Sequence, residues 1–227
     1  MDLFLPEERE VVAFVGGGGK STLLLGLGHE LADAGRPVVM TSTTKMGTDQ
    51  IPPWAVVCHN LADVDGALRS QRPAYLLAGT DGAKVIGVDP DLVNDVAAAT
   101  TATVLVEADG SRRRPFKAPA SHEPVVPSAT TLVVVAVGVE AIGQPISVAC
   151  HRPERVSTLT GRSVNDVVRP EDIATVAAHP AGGRKGVPEG ARLILAITKV
   201  ERNHAQAVEQ IRSSLANQIE VVAIGSH

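Results

Sequence analysis

The chain has 227 residues, 44% of them hydrophobic and only 2% aromatic, with a formal net charge of −4. That is enough for one sizeable core, or a core with a small subdomain. The lack of a basic excess and of aromatic stacking platforms excludes nucleic acid as the expected partner, and the longest apolar runs fall short of the roughly 20 residues of a membrane-spanning helix.

From the N-terminus, MDLFLPEEREVV carries acids where a secretory leader places Lys or Arg, so a cytoplasmic protein is expected. Val11–Val15 predicts a buried strand. Ser21–Ala34 predicts a helix with leucines on one face, closed by Gly35. Val38–Ser42 predicts a second strand, Trp54–Cys58 a short third, and Leu61–Arg69 a helix. Tyr75–Ala78 and Lys84–Val88 flank Thr80-Asp81-Gly82-Ala83, whose Asp-Gly pair predicts a hairpin. Leu92–Ala99 predicts a helix. Val104–Ala108 and Leu132–Val137 are continuous apolar runs of the kind covered on both faces. Leu193–Thr198 repeats the pattern, followed by a polar helix over Asn203–Asn217 and a last strand at Val221–Ile224. Strands separated by helices of this length predict βαβ crossovers and a mostly parallel sheet.

Cys58 and Cys150 lie far apart without Cys-x-x-Cys spacing and read as buried small hydrophobes. A single domain over residues 1–227 is expected, interrupted twice. A long loop over 109–130 is rich in Arg, Pro and Ser, and a helical and loop insertion covers about 140–190. Loops of that length in a compact α/β domain are usually lids or binding segments.

Between the first strand and the first helix stand Gly16, Gly17, Gly18, Gly19, Lys20, Ser21 and Thr22. A phosphate cradle needs these parts. Backbone N–H groups converge on phosphate oxygens where a Cβ would obstruct them. The helix start adds its positive dipole end, Lys20 neutralises phosphate charge, and the Ser21 hydroxyl can ligate Mg²⁺. The common pattern G-x-x-x-x-G-K-[ST] would begin at Phe14, so the segment fits the variant G-G-x-G-K-[ST] instead. Val15 stands where that variant often has a second lysine, so no lysine reaches from there across a homodimer, and the oligomeric state stays open. The fold expected is therefore a three-layer α/β P-loop NTPase-like one, a mostly parallel central sheet flanked by helices.

Val104–Val106 leads into Glu107-Ala108-Asp109-Gly110. A carboxylate at the end of a neighbouring strand holds Mg²⁺ directly or through water in such folds. Glu107 and Asp109 share a side if the strand continues that far. Asp109 is assigned to the metal with Ser21, either acid to orienting the attacking water, and which of the two supports metal stays open. Thr41-Ser42-Thr43-Thr44-Lys45 follows the second strand at the ligand-binding edge, and Thr43 and Thr44 could order metal-bound water or close over the γ-phosphate. Thr198-Lys199-Val200-Glu201 resembles the [NT]-K-x-D element that reads guanine, with Glu201 in place of Asp, which leaves GTP and ATP both open. Arg112, Arg113, Arg114 and Lys117 follow the acidic strand end and could grip a second anion, a pterin phosphate or a molybdate-like oxyanion. His122-Glu123 is an incomplete metal site and reads as structural, as do His151 and His179.

Several blocks together resemble a known family. They are Phe14–Thr22, Thr41–Lys45, Val106–Arg112, Phe116–Ala120, His122–Pro127, His151–Glu154, His179–Gly183, Lys185–Pro188 and Thr198–Glu201. The chain is similar to the YqeC family, a predicted selenium-cofactor biosynthesis or selenium-dependent molybdenum hydroxylase accessory group. The glycine loop is shared by many NTPases; the Glu-Ala-Asp-Gly-Ser to His-Glu-Pro block is far more specific. The resemblance implies a P-loop nucleotide-binding fold and a role beside molybdenum hydroxylase maturation. The sequence departs from the family at Glu201, where Asp is usual, and in the strongly basic Ser111–Arg114. The first expectation is an Mg²⁺-dependent GTP or ATP hydrolase coupled to that maturation. Two others stand beside it. One is a small-molecule kinase; the other is a nucleotide-switched module that docks on a nucleotidyltransferase or hydroxylase with little turnover.

Overall fold

The structure, a computed structural model, describes residues 9–225, so the expectation drawn from the first residues falls largely outside it. In chain order the strands and helices are β1 (Val11–Gly16), α1 (Lys20–Asp33), β2 (Val38–Ser42), β3 (Met46–Gly47), β4 (Val56–Cys58), α2 (Leu61–Arg69), β5 (Ala74–Leu76), β6 (Gly79–Asp81), β7 (Lys84–Ile86), α3 (Pro90–Ala99), β8 (Thr103–Glu107), β9 (Phe116–Lys117), β10 (Leu132–Gly138), α4 (Ile146–Ala149), β11 (Cys150–His151), α5 (Pro153–Thr160), α6 (Pro170–Ala178), β12 (Arg192–Val200), α7 (Ala205–Leu215) and β13 (Glu220–Gly225).

Eight strands form one sheet in the order β13-β12-β10-β1-β8-β2-β5-β4, and every pairing in it is parallel. The register explains the continuous apolar runs. Val12 pairs with Leu105 and Leu132, and this row packs with Phe14, Met40 and Val134 under the Leu23, Leu24, Leu27 and Leu31 stripe of α1. The alternate row faces the other way. Val11, Val39, Val104 and Val106 pack with residues of α2 and α3, while Ala13, Val133, Val135 and Leu195 pack with residues of α6 and α7. Both faces of the sheet are therefore covered, which parallel sheets require, and the result is a three-layer α/β fold.

Three expectations shift. Tyr75 belongs to β5 in the central sheet, and the hairpin is instead β6 with β7, turning at Gly82 (φ +57). The third strand is only Val56–Cys58, because Trp54 packs over α1 next to His29 rather than entering the sheet. The last helix is shorter than the pattern suggested, preceded by a 3-10 turn over Arg202–His204. Asn60 and Asp89 cap α2 and α3 by accepting from Asp63 N and Asp91 N. Both cysteines are buried thiols, and burial pushes that of Cys150 up to about 12. Among the described residues no helix is long and apolar enough to cross a membrane.

Candidate functional site

At the C-terminal edge of the sheet, β1 ends at Gly16 (φ +93) and the chain turns through Gly17, Gly18 (φ +57) and Gly19 (φ +101) straight into α1. The positive φ values favour glycine, but neighbouring backbone is the stronger constraint. A Cβ at Gly17 would lie 2.7 Å from the Arg114 carbonyl oxygen, and one at Gly18 only 1.9 Å from Gly138 N. The turn is clamped there: Gly17 N–H donates to Ala136 O at 2.9 Å and Gly18 N–H to Arg114 O at 3.1 Å. With Gly16 N–H, which donates to Asp109 Oδ2, three of the four glycine amides expected for a phosphate are thus spent on the scaffold. The donors left lie one step on, in the first turn of α1, which no side chain caps among the described residues.

Lys20 is 2% exposed. Its Nζ donates to Gly16 O at 2.8 Å and sits 3.3 Å from Asp109 Oδ1 and 3.7 Å from Glu107 Oε1. Ser21 Oγ donates to Glu107 Oε2 at 2.6 Å. These groups open on a cleft of about 620 Å³ whose walls include Gly18–Thr22, Lys45–Gly47, Asp49, Lys84, Glu107, Gly110–Arg113, Glu140 and Lys199.

The two acids play different parts. β8 stops at Glu107, whose carboxylate faces the cleft beside Ser21. Asp109 turns inward: Oδ2 accepts from Gly16 N–H at 3.0 Å and meets Lys117 Nζ at 2.9 Å. Its Oδ1, facing Lys20, has no hydrogen-bond partner among the described residues. The structure therefore puts Glu107, not Asp109, next to Ser21, and makes Asp109 the anchor of the glycine turn. Ser21 and Glu107 are hard oxygen donors of the kind Mg²⁺ takes. No group of three His, Cys, Asp or Glu is placed for a metal among the described residues, so a cation here would complete its shell with water and phosphate oxygens.

The other sequence candidates divide. Thr43 and Thr44 do not line the cleft: Thr43 Oγ1 donates to Val125 O at 2.7 Å, and Ser42 Oγ, bonded to Glu107 O at 3.0 Å, also contacts Thr44 Oγ1. Thr198 is buried and its hydroxyl donates to Gly18 O, bracing the turn. Lys199 (φ +57) lines the cleft, ion-paired with Glu140. Glu201 lies off the cleft, its N–H donating to His204 Nδ1 at 3.0 Å. Arg112 and Arg113 line the cleft, while the Arg114 guanidinium donates to Val148 O.

Lys117 does not reach a second anion. Its side chain has no exposed surface, and Nζ is held between Asp109 and Glu123, the latter at 2.8 Å. Two buried carboxylates need that cation. Glu123 goes on to Arg152 at 3.0 Å, which contacts His151 Nε2, and Lys185 donates to the carbonyls of Ala120, Ser121 and Glu123. Burial alone would raise the Glu123 carboxyl; the Lys117 hydrogen bond and charge, the Ala120 amide and Arg152 outweigh it and hold it below its ordinary value. Burial, with Arg152 and Lys117 adding repulsion, lowers His151. His179 Nδ1 accepts from Ala181 N–H, and His122 is exposed.

Sequence reasoning missed Lys84, Asp49 and Glu140 and passed over Lys45. Glu140 alone carried a signal, since it follows the end of a buried strand at the same edge as Glu107.

A family model described as YqeC protein matches residues 12–154. A relative from Escherichia coli (strain K12), described as uncharacterized protein YqeC, is 29% identical over 232 residues, covering 99% of this chain and 90% of its own. Among solved structures, that of HypB from Helicobacter pylori in complex with nickel is 12% identical, covers 95% of this chain and 78% of its own, and has a TM-score of 0.34.

Proposed function

The chain belongs to the YqeC family, and from that premise we propose that it is an Mg²⁺-dependent nucleoside triphosphatase serving the maturation of a molybdenum- or selenium-containing hydroxylase. The observation that carries the nucleotide reading is the meeting of Lys20, Ser21 and Glu107 at an uncapped helix start on the cleft. A pterin or an oxyanion is the small molecule such maturation would handle, and a nucleotidyltransferase or the hydroxylase itself the protein partner; the similarity in the Glu107–Pro127 region supports this part.

The residues divide the work as follows. The first-turn amides of α1 bind phosphate oxygens, and Lys20 neutralises their charge once drawn off Gly16 O and the two acids. Ser21 and Glu107 would hold Mg²⁺, which neutralises phosphate charge when bound. Asp109 keeps Gly16 and Lys20 in place, so that the donors are oriented before substrate arrives. Lys199 and Glu140 stand at the end suited to the base.

Equilibrium titration with ATP and GTP, with and without Mg²⁺, tests this. Lys20→Ala should weaken binding at least about thirtyfold, the loss of a charge-assisted contact of about 2 kcal/mol or more. Ser21→Ala should remove the Mg²⁺ dependence. Circular dichroism controls for folding, and phosphate release measures turnover. Equal affinity in wild type and a folded Lys20→Ala would overturn the proposal. The cations across the cleft favour a second reading, in which a bound acceptor rather than water receives the phosphoryl group.

A further inference from the structure

The cleft is divided by charge. At one end Lys199 is matched by Glu140, and in the middle Lys20 by Glu107. At the other end Lys45, Lys84, Arg112 and Arg113 meet one carboxylate of the lining, Asp49. The sheet order sets the two ends on opposite flanks of the glycine turn: β10 and β12 lie on one side of β1, β8 and β2 on the other, and the small sheet β3-β7-β6 continues from β2. This concentration of positive charge stands on a chain whose net charge is −4.

The four cations are weakly compensated. Arg113 reaches Asp49 only at 3.5 Å and Lys45 reaches Asp81 at 3.7 Å, all four side chains being well exposed, so solvent screens both pairs. Lys84 and Arg112 have no ion pair among the described residues. Arg112 and Arg113 hold φ of +50 and +60 in succession, a conformation that L side chains rarely adopt. Clustered like charges with this little compensation repel one another unless an anion joins them.

We propose that this half of the cleft is a second anion subsite, taking a small molecule that carries a phosphate-like dianion, beside the terminal phosphate of the nucleotide. The inference deepens the nucleotide reading and rests on it. With the base toward Lys199 and Glu140, the triphosphate ends near Lys20 and leaves Lys45, Lys84, Arg112 and Arg113 for another ligand. Guanidinium and ammonium groups converging on one space suit the several oxygens of a phosphate. Neither Arg114 nor Lys117 takes part, since their cationic groups are held elsewhere.

The test uses the full chain and isothermal titration. Inorganic phosphate and glycerol 3-phosphate are each titrated into protein saturated with Mg²⁺ and a βγ-imido nucleotide analogue, for wild type and for the double variant Lys84→Gln/Arg112→Gln. Wild type should bind one dianion per chain, and the double variant should lose at least about tenfold in affinity while binding the analogue within about twofold of wild type. Tighter binding of the ester means that the group is carried on a larger molecule, and equal binding means a free oxyanion; both support the subsite. No dianion binding by wild type, or equal affinity in the two proteins, overturns it. If the analogue itself does not bind, that failure belongs to the nucleotide reading. The same titrations on unliganded protein, compared between wild type and variant, then decide the subsite alone.

Discussion

Lys117 is the residue whose part the sequence conceals most. In a run reading Arg-Arg-Arg-Pro-Phe-Lys it looks like one more exposed cation. The fold pins it between Asp109 and Glu123, acids on either side of it in sequence that meet only because the loop doubles back to the end of β8. The glycine turn is the opposite case. Its composition announced a sterically constrained loop, and what could not be read was that neighbouring backbone, as much as a ligand, excludes a Cβ. Replacing Lys117 by Met keeps the volume but removes the cation between two buried carboxylates, leaving Asp109 only Lys20 and Glu123 only Arg152. Breaking a buried pair in this way costs about 3–5 kcal/mol, and at roughly 2–4 °C per kcal/mol for a chain of this size the melting temperature should fall by about 6–20 °C. Thermal denaturation followed by circular dichroism measures it. A midpoint within about 2 °C of wild type would mean that Lys117 is not the cation those acids depend on.

The helical segment between β10 and β12 changes meaning between sequence and structure. Its loops and short helices suggest a lid or binding insertion. Folded, its Ile146, Val156 and Ile173 have no exposed surface and share a core with Ala13, Val135 and Leu195 of the central sheet. The segment, together with α7, is the outer layer for that half of the sheet. The long strands were legible because apolar residues without alternation signal cover on both faces. Two-residue strands such as Phe116–Lys117 and Cys150–His151 carry no such signal, since their pairing follows from where the segment docks. Within this segment, Ile173→Ala should cost about 2–5 kcal/mol, the range for emptying a filled core site. Val148→Ala, at a side chain 49% exposed, should stay within about 0.5 kcal/mol. Urea unfolding of the two variants provides the comparison, and equal, small losses would show the segment to be a detachable lid.

For the whole molecule, the ionic chain from Lys20 through Asp109, Lys117 and Glu123 to Arg152 joins the sheet edge to the segment that covers it, so its protonation bears on global stability. His151 beside Arg152 has its folded pKa lowered from 6.5 by burial and by the charges of Arg152 and Lys117. As pH falls through about 6.5 the unfolded chain takes up this proton while the folded chain resists it, and stability declines with it. Glu123 has its folded pKa lowered from 4.5, with Lys117 and Arg152 outweighing burial. Its contribution is complete above about 4.5, where both states are ionised, and is lost as pH falls through that value toward the folded pKa, because the unfolded carboxylate protonates first. Both groups make acid destabilising, His151 first and Glu123 at lower pH. Denaturant unfolding of wild type and His151→Asn at about pH 8, 6.5 and 5 isolates the first of them. The variant keeps a polar side chain but cannot titrate, so its stability should fall less between about pH 6.5 and 5. Parallel losses in the two proteins would place the acid sensitivity elsewhere in the molecule.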